Sequence, residues 1–445
     1  MKRKEIGKLK DNFNVGEKVK VKGRIIAKRS FGKIIFFELS QDRKIQLVAK
    51  LDFNGKDFFS QIREIDVGDI ISVTGEAWLS KSGEKSVLIE KYKIFSNNGL
   101  REFEGYKKVE RDKQYKKNYL ELSVDKEKFN YHKNCSILIS SIRNQLFDRE
   151  FLEFYTGILQ SNFESGLARP FKTHSRAIDR EVYLRATTEI KLKKLLAGGY
   201  EKIFELGPLF RNEGIGSDKT PEFLLLDCYW TYKNYKDMMS LFEEIMKKAI
   251  EKSFGKIITT KDGLKIDITS PWKRITFEDL LSNITGIENI PIENKRSLQK
   301  IIQNEGINLS KKMSEGRMIN KILGSLIFPE IIEPTYVTEI PAAALPLAAT
   351  SSEDERKAQG AILIIDGLFI GDTYNDESNP KKIEKVLKKQ AKIADKEVNQ
   401  EFLELLKFGI PPSAGFGLGI NQLLLSMKRE KERDVRETFV HSFLK

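Results

Sequence analysis

Between Lys202 and Tyr232 the chain carries two strand-forming runs joined by a polar loop, and this pair constrains the fold more than any other stretch. Ile203, Glu205, Gly207 and Leu209 alternate with Phe204, Leu206 and Phe210, and the return run from Phe223 to Trp230 is dense in strand formers. Two glycines, a serine and a proline punctuate the connection. The spacing predicts a hairpin with Arg211 and Glu213 at its mouth. A planar guanidinium there matches a phosphate, and the neighbouring carboxylate can face the same nucleotide. A surface hairpin with an ordinary ion pair satisfies the same pattern.

A chain of 445 residues has room for two to four domains. No run reaches membrane-spanning length, and the basic residues Met1 to Lys10 are not followed by the apolar block of a secretory signal. Cys135 and Cys228 lack CxxC spacing, and His132, His174 and His441 lack ligand spacing, so neither a disulfide nor a zinc framework is expected. Cys228, among apolar strand positions, reads as a buried, inert thiol. The expected compartment is a reducing cytoplasm. A net charge of +13, from 77 basic against 64 acidic side chains, favours polyanionic partners through counterion release.

Lys18 to Phe95 reads as five short strands, with Lys33 to Leu39 and Lys44 to Ala49 paired across Gln41-Asp42-Arg43, which suits a small closed barrel. On it, Phe36, Phe37 and Gln46 can stack on and read unpaired bases beside Arg24, Lys28, Arg29 and Lys33 as phosphate contacts. One phenylalanine of the pair must face the core, and a barrel with no base-reading role fits equally. Residues 106–124 are a polar linker. Ser136 to Phe147 is then an amphipathic helix, Phe151 to Tyr155 a strand, and Tyr235 to Ile250 a helix burying Met238, Phe242, Ile245 and Ala249. Further helices are expected near Thr276, over Gly316 to Ile327, and from Lys382 and Asn399. Asp366-Gly367 signals a two-residue hairpin.

The wording of these stretches resembles the class II lysyl-tRNA synthetase family. Gly198-Gly199-Tyr200-Glu201-Lys202-Ile203-Phe204-Glu205-Leu206-Gly207 with Phe210-Arg211-Asn212-Glu213-Gly214 and Pro221-Glu222-Phe223 is similar to its motif 2. Ala168 to His174, Tyr183 to Glu189 and Tyr229 to Tyr232 extend the likeness, and Gly409 to Ile420 is similar to motif 3. Val21 to Ile25 and Ile45-Gln46 resemble the family's anticodon-binding barrel. The resemblance implies an α+β protein: an OB-fold anticodon-binding domain over 1–105, then a catalytic domain over 125–445 built on an antiparallel sheet flanked by helices, with a helical insertion at about 256–334. It also implies ATP, tRNA and lysine or a similar cationic amino acid as partners, and a homodimer.

Carried onto matching positions, Arg211 holds the α-phosphate of ATP, Glu213 and Phe223 contact adenosine, and Gly417 and Gly419 line the nucleotide. Glu189 receives the α-ammonium of the amino acid, and Asp227, Tyr229 and Asp376 read its side chain. The chain departs from the family in several places. The motif 3 aspartate and arginine are Asn421 and Gln422, the two magnesium-binding glutamates fall on Ile362 and Phe369, a further glutamate falls on Ala343, and the proline closing motif 1 is Gly157. Mg2+ is expected for the family, but its ligand positions are not kept. The expected function is ATP-dependent activation of lysine and transfer to tRNA. The alternative is a paralogue that binds tRNA and a nucleotide without efficient aminoacylation.

Overall fold

The structure, a computed structural model, describes residues 4–97, 118–162, 168–259, 262–287, 295–307, 313–394, 398–428 and 433–441. The chain divides into two compact units, Met1–Phe129 and Asn130–Leu444. The expected linker lies outside the described residues as far as 117, and its last part, Asn118–Val124, is helical.

The first unit closes strands β1 (Lys18–Phe31), β2 (Ile34–Ser40), β3 (Lys44–Lys50), β4 (Ile70–Leu79) and β5 (Lys85–Ser96) into a barrel in the order β1-β2-β3-β5-β4. Strand alternation sends Val19, Val21, Ile35, Leu39, Leu47 and Val73 inward. The strands bend tightly where side chains are missing: a β-carbon on Gly23 would strike the Ser40 carbonyl, and one on Gly75 the Leu88 carbonyl. A helix at Lys56–Arg63, absent from the sequence reading, adds Phe59 and Ile62 to the same core.

The second unit adds β6 (Leu152–Glu153), a small sheet of β7 (Leu159–Gln160), β8 (Lys172–Ser175) and β9 (Arg180–Leu184), the long pair β10 (Lys202–Phe210) and β11 (Glu222–Thr231), a two-stranded ribbon of β12 (Ile257–Thr259) and β13 (Lys265–Asp267), and then β14 (Lys273–Thr276), β15 (Thr335–Thr338), β16 (Gly360–Ile365), β17 (Leu368–Asn375) and β18 (Ser413–Gly419). Eight of these form the main sheet, in the order β14-β15-β16-β17-β18-β11-β10-β6. Its inner pairings are antiparallel, and only the outermost pairs, β14 with β15 and β6 with β10, run parallel.

β10 and β11 form the expected hairpin, from Lys202↔Trp230 to Phe210↔Glu222. Its burial does not alternate as on a half-exposed sheet: Ile203, Phe204 and Glu205 are buried in succession. The reason is an interior ion pair in which the Arg185 guanidinium donates to the Glu205 carboxylate, while the second Glu205 oxygen accepts from the Thr156 hydroxyl at 2.7 Å. The opposite face packs on the Tyr235–Phe254 helix, whose Phe242 stacks on Phe416 with ring centroids 4.0 Å apart. A capping box of Asn234 and Asp237 starts that helix.

The Asp366-Gly367 turn joins β16 to β17 with φ of 49° and 77°, the left-handed conformation a two-residue hairpin demands. The helix expected from Ser136 starts earlier and spans Lys126–Phe147, and the strand expected over Phe151 to Tyr155 shrinks to β6. In the insertion, helices at Phe277–Thr285, Lys295–Asn304 and Glu315–Ile322, the last continuing as a π-turn to Ile327, build a separate apolar cluster with Val337 and Ile364.

Candidate active site

The strand order places β17, β18 and β11 side by side, and β18 carries glycine at every second position: Gly415, Gly417 and Gly419. A period of two puts them on one face. The alternate residues Phe416 and Leu418 are buried in the core behind the sheet. Three missing side chains in line make a trough, and residues of the flanking strands reach over it. Tyr374 and Tyr229 are the partners of Gly415, and Asp372 and Asp227 those of Gly417. A β-carbon on Gly415 would lie 2.7 Å from the Tyr229 ring, so glycine there is a steric requirement.

Above the trough opens a cavity of about 460 Å³. Its walls bring together Arg211, Glu213, Phe223, Glu189, Asp227, Tyr229, Gly417 and Gly419, which the sequence separates by up to 230 positions. Arg211 is held at the cavity edge by its Nε–H, 3.4 Å from the Ala186 carbonyl, and its guanidinium lies 5.1 Å from the centre of the Phe223 ring. The hairpin loop is pinned by the Arg211 amide, which donates to the Pro221 carbonyl at 2.8 Å.

Asp227 is oriented by the Thr188 hydroxyl, which donates to it. Burial pushes its carboxyl up to about 6; the Thr188 hydrogen bond and Arg211 oppose the rise, and Glu189 adds to it. Burial, and then the charges of Asp227 and Glu189, push Asp372 up to about 7. Glu189 lines the cavity while one of its oxygens accepts from the Lys193 ammonium at 2.7 Å.

Asp376 does not line this cavity. Lys193, only 4% exposed, forms an ion pair with it at 2.8 Å, and the Ser413 hydroxyl donates to its other oxygen at 2.7 Å. Burial opposes the charge of Lys193, but Asp376 and Glu189 outweigh it and hold the ammonium well above its ordinary pKa. Asp376, expected at the amino-acid end, thus shares the Lys193 ammonium with Glu189.

The two positions at which the resemblance places magnesium-binding glutamates carry no metal ligand. Ile362 is 4% exposed, inside the apolar cluster of Phe277 and Leu281. Phe369, 38% exposed, opens on the cavity beyond a register shift in the β16–β17 pairing. Neither side chain offers an oxygen, and among the described residues no group of three or more His, Cys, Asp or Glu side chains is arranged to hold a metal. The residues present do not fit magnesium at these positions. Gln422 donates to the Asp218 carbonyl, whereas Asn421 is structural, accepting from the Leu224 amide at 2.6 Å and donating to Thr438 at 2.7 Å.

Residues 110–442 match the family described as tRNA synthetases class II (D, K and N). The chain belongs to the class II tRNA synthetases. Relatives of this synthetase include the lysine-tRNA ligase of Prochlorococcus marinus (strain MIT 9215), 34% identical over 92% of this chain and 83% of its own length. The lysine-tRNA ligase of Nostoc punctiforme is 33% identical over 92% of this chain and 76% of its own. Lysine-tRNA ligase 2 of Methanosarcina acetivorans is 34% identical over 93% of this chain and 82% of its own.

Residues 19–95 of the synthetase match an OB-fold nucleic acid binding domain. Register sorts the candidate RNA contacts on this barrel. Phe37 is 1% exposed and belongs to the barrel core, so it is removed from the base-reading set. Phe36 lies on the outer face between Arg29 and Val48, with its ring edge-on to the exposed Phe31 at 6.1 Å. Gln46 pairs with Glu38 on the same face and accepts from the Ser86 hydroxyl at 2.8 Å. Arg24 donates to the Gly68 carbonyl at 2.8 Å.

Sequence reasoning missed Asp372 and Tyr374, which line the cavity, and Lys193, which pairs with Glu189 behind it. Asp372 and Tyr374 share parity along β17, but parity alone does not say which face carries the cavity. Lys193 looked like any helix lysine, one turn after Glu189.

Proposed function

We propose that this protein is a lysine-tRNA ligase, as its relatives are named. The observation that carries the reading is the meeting, in one cavity, of a guanidinium and an aromatic ring suited to a nucleotide with Glu189 and Asp227, suited to a diamino acid. The carboxylate of lysine attacks the α-phosphorus of ATP and pyrophosphate leaves. A tRNA hydroxyl then attacks the acyl carbon and AMP leaves. Both steps depend on positioning and charge neutralisation rather than on a protein nucleophile.

In this reading Arg211 steadies the α-phosphate, while Phe223 stacks on the adenine and Glu213 contacts the adenosine. Gly417 and Gly419 let the ligand lie close to the backbone. Glu189 spends one oxygen on Lys193 and offers the other to the α-ammonium. Tyr229 bounds the amino-acid end. No step is routed through a bound magnesium ion, because the side chains at 362 and 369 do not fit one. On the barrel, Phe36 and Gln46 read anticodon bases, with Arg24 and Arg29 beside them. A homodimer in the cytoplasm completes the proposal, with exposed Leu152, Tyr155 and Leu159 near β6 as the apolar contact.

The test is lysine-dependent exchange of pyrophosphate into ATP, together with lysyl-tRNA formation. Arg211→Ala is expected to cost on the order of 100-fold or more in exchange. Uncharged Gln422 favours a second reading, a paralogue that binds tRNA and nucleotide without efficient aminoacylation. Silence of the wild type at high enzyme concentration, while tRNA binding persists, selects that second reading and overturns the first.

A further inference from the structure

The helix Pro380–Ala394 has no part in the reading above, yet its composition sets it apart: six lysines stand in 15 residues against a single acid, Glu384. They are Lys381, Lys382, Lys385, Lys388, Lys389 and Lys392, and all six are exposed. At 3.6 residues per turn they fall within an arc of about 120°, and from Lys381 to Lys392 the row runs about 16 Å along the helix axis. The opposite face belongs to the fold. Ile383 is buried and Leu387 partly buried in a cluster with Ile190, Phe402, Leu403 and Leu406, so the helix is seated on its neighbours and presents lysine outward.

We propose that this lysine face is an RNA-binding surface of the second unit, distinct from the barrel, which takes the sugar-phosphate backbone of a helical RNA stem. It goes beyond the ligase reading and does not depend on it, since a paralogue that binds tRNA without aminoacylation has the same face.

Most of the charge on this face is left for a partner. Lys388 pairs with Glu384 at 2.8 Å and Lys382 with Glu377 at 3.4 Å, whereas Lys381, Lys385, Lys389 and Lys392 form no ion pair with any described residue. A seventh lysine stands beside the row: the hydrogen bond from Lys388, and then the charges of Lys388 and of exposed Lys407 on the helix Gln400–Phe408, hold the Glu384 carboxyl below its ordinary value. Ammonium groups on flexible stems are point donors, suited to phosphates rather than to base edges. A duplex carries one charge about every 1.7 Å of its axis, so a row of this length meets several phosphates at once, and release of their counterions drives association. Helical RNA is read through just such backbone contacts. A membrane surface fits less well, because a helix lying on lipid buries its apolar face there, and here that face already packs against Ile190 and Phe402.

The experiment uses the full chain and a labelled RNA minihelix, an acceptor stem closed by a short loop with no anticodon arm, and measures Kd from about 50 to 200 mM salt. The row variant combines Lys381→Gln, Lys385→Gln, Lys389→Gln and Lys392→Gln. A control makes the same change at Lys248, Lys252, Lys256 and Lys265, which are exposed on and after the Tyr235–Phe254 helix. A third variant puts arginine at the four row positions, and circular dichroism melts report folding. The row variant is expected to lose roughly 10-fold or more in minihelix affinity at about 100 mM salt and to flatten the slope of log affinity against log salt by about three, while the arginine variant and the control stay near wild type. Should the row variant melt early, the single substitutions replace it, each lowering the slope by about one. An equal loss in the control shows only general attraction to a basic protein and overturns the proposal. So does a row variant whose affinity and slope match the wild type, or a wild type that leaves the minihelix unbound at about 50 mM salt. Loss of binding to phosphatidylserine vesicles with the minihelix unaffected assigns the face to lipid and overturns it as well.

Discussion

Lys193→Met removes one ammonium that serves two carboxylates. Lys193 lies 2.7 Å from Glu189 and 2.8 Å from Asp376 with only 4% of its side chain exposed, and it packs 5.8 Å from the centres of the Tyr229 and Phe402 rings. Methionine keeps the volume and loses the charge, leaving acids in a dry setting without their cation. Breaking a buried pair from one side costs about 3–5 kcal/mol, well above the value of an exposed pair. Urea unfolding followed by tryptophan fluorescence reads this out. Trp230 and Trp272 lie in the second unit, and Trp78 in the barrel serves as an internal control.

The sign of the pH dependence follows from linkage. Without Lys193, the folded-state pKa of Asp376 rises further above its unfolded value of about 3.9. A carboxylate with a raised folded pKa holds a proton that the unfolded chain has released, so its penalty is absent at low pH and grows as pH rises through the folded pKa. The deficit of Lys193→Met against wild type is therefore largest near about pH 7.5 and shrinks toward about pH 5. Lys193→Met combined with Asp376→Leu recovers part of the loss, because it removes a buried charge that has no partner. A deficit under about 1 kcal/mol, or one flat across that pH range, would falsify the claim that Lys193 is the sealed counter-ion of Asp376.

Other substitutions test neighbouring claims. Phe37→Ala is expected to destabilise the barrel by about 3–5 kcal/mol, whereas Phe36→Ala keeps the denaturation midpoint and weakens tRNA binding in a filter assay; equal effects on both properties would refute the division of the two faces. Ile362→Glu should unfold the insertion cluster, since a carboxylate at a site 4% exposed has no partner there, while Phe369→Glu at 38% exposure should change stability by less than about 1 kcal/mol. Circular dichroism melts of the two variants distinguish them, and similar melts would mean that residue 362 is not sealed. Gly157→Pro is expected to lower the midpoint, because Gly157 has φ of 80° and proline is held near −65°; a neutral or stabilising outcome would show that this turn adopts another conformation.

Much of the fold was legible because it is written in local chemistry. The Asp366-Gly367 turn announces its own conformation, the glycines of β18 advertise a period of two, and the apolar stripe of the Tyr235–Phe254 helix needs no tertiary information. The motif residues around Arg211 were legible through their ordered wording. What stayed hidden depends on which side of a strand faces which layer. Phe36 and Phe37 are chemically identical, and only barrel closure decides which is core. Glu205 read as the polar member of an alternating strand, yet Arg185 buries it. Nor does the chain reveal that a lysine one turn past Glu189 is buried and pairs with both Glu189 and Asp376.

The charges lining the cavity bear on which ligand the site holds best under the ligase reading. Arg211 and Lys219 are its lysine and arginine residues, against Glu189, Glu213, Asp218, Asp227 and Asp372. With no metal ligands at 362 and 369 and an amide at 422, little fixed positive charge remains to offset a triphosphate. Lysyl-adenylate is different, for it carries two ammonium groups and a single negative charge on its acyl phosphate. Its phosphate can meet Arg211 while its ammonium groups meet Glu189 and Asp227. Only those interactions that are stronger in the transition state than in the bound reactants lower the barrier, and the charge contacts to the forming adenylate are candidates for them. Under the ligase reading, the acidic lining of the cavity favours the cationic adenylate over ATP alone. The same imbalance ties occupancy of the nucleotide end to prior binding of the cationic amino acid, since that ligand cancels the negative field ATP would otherwise meet.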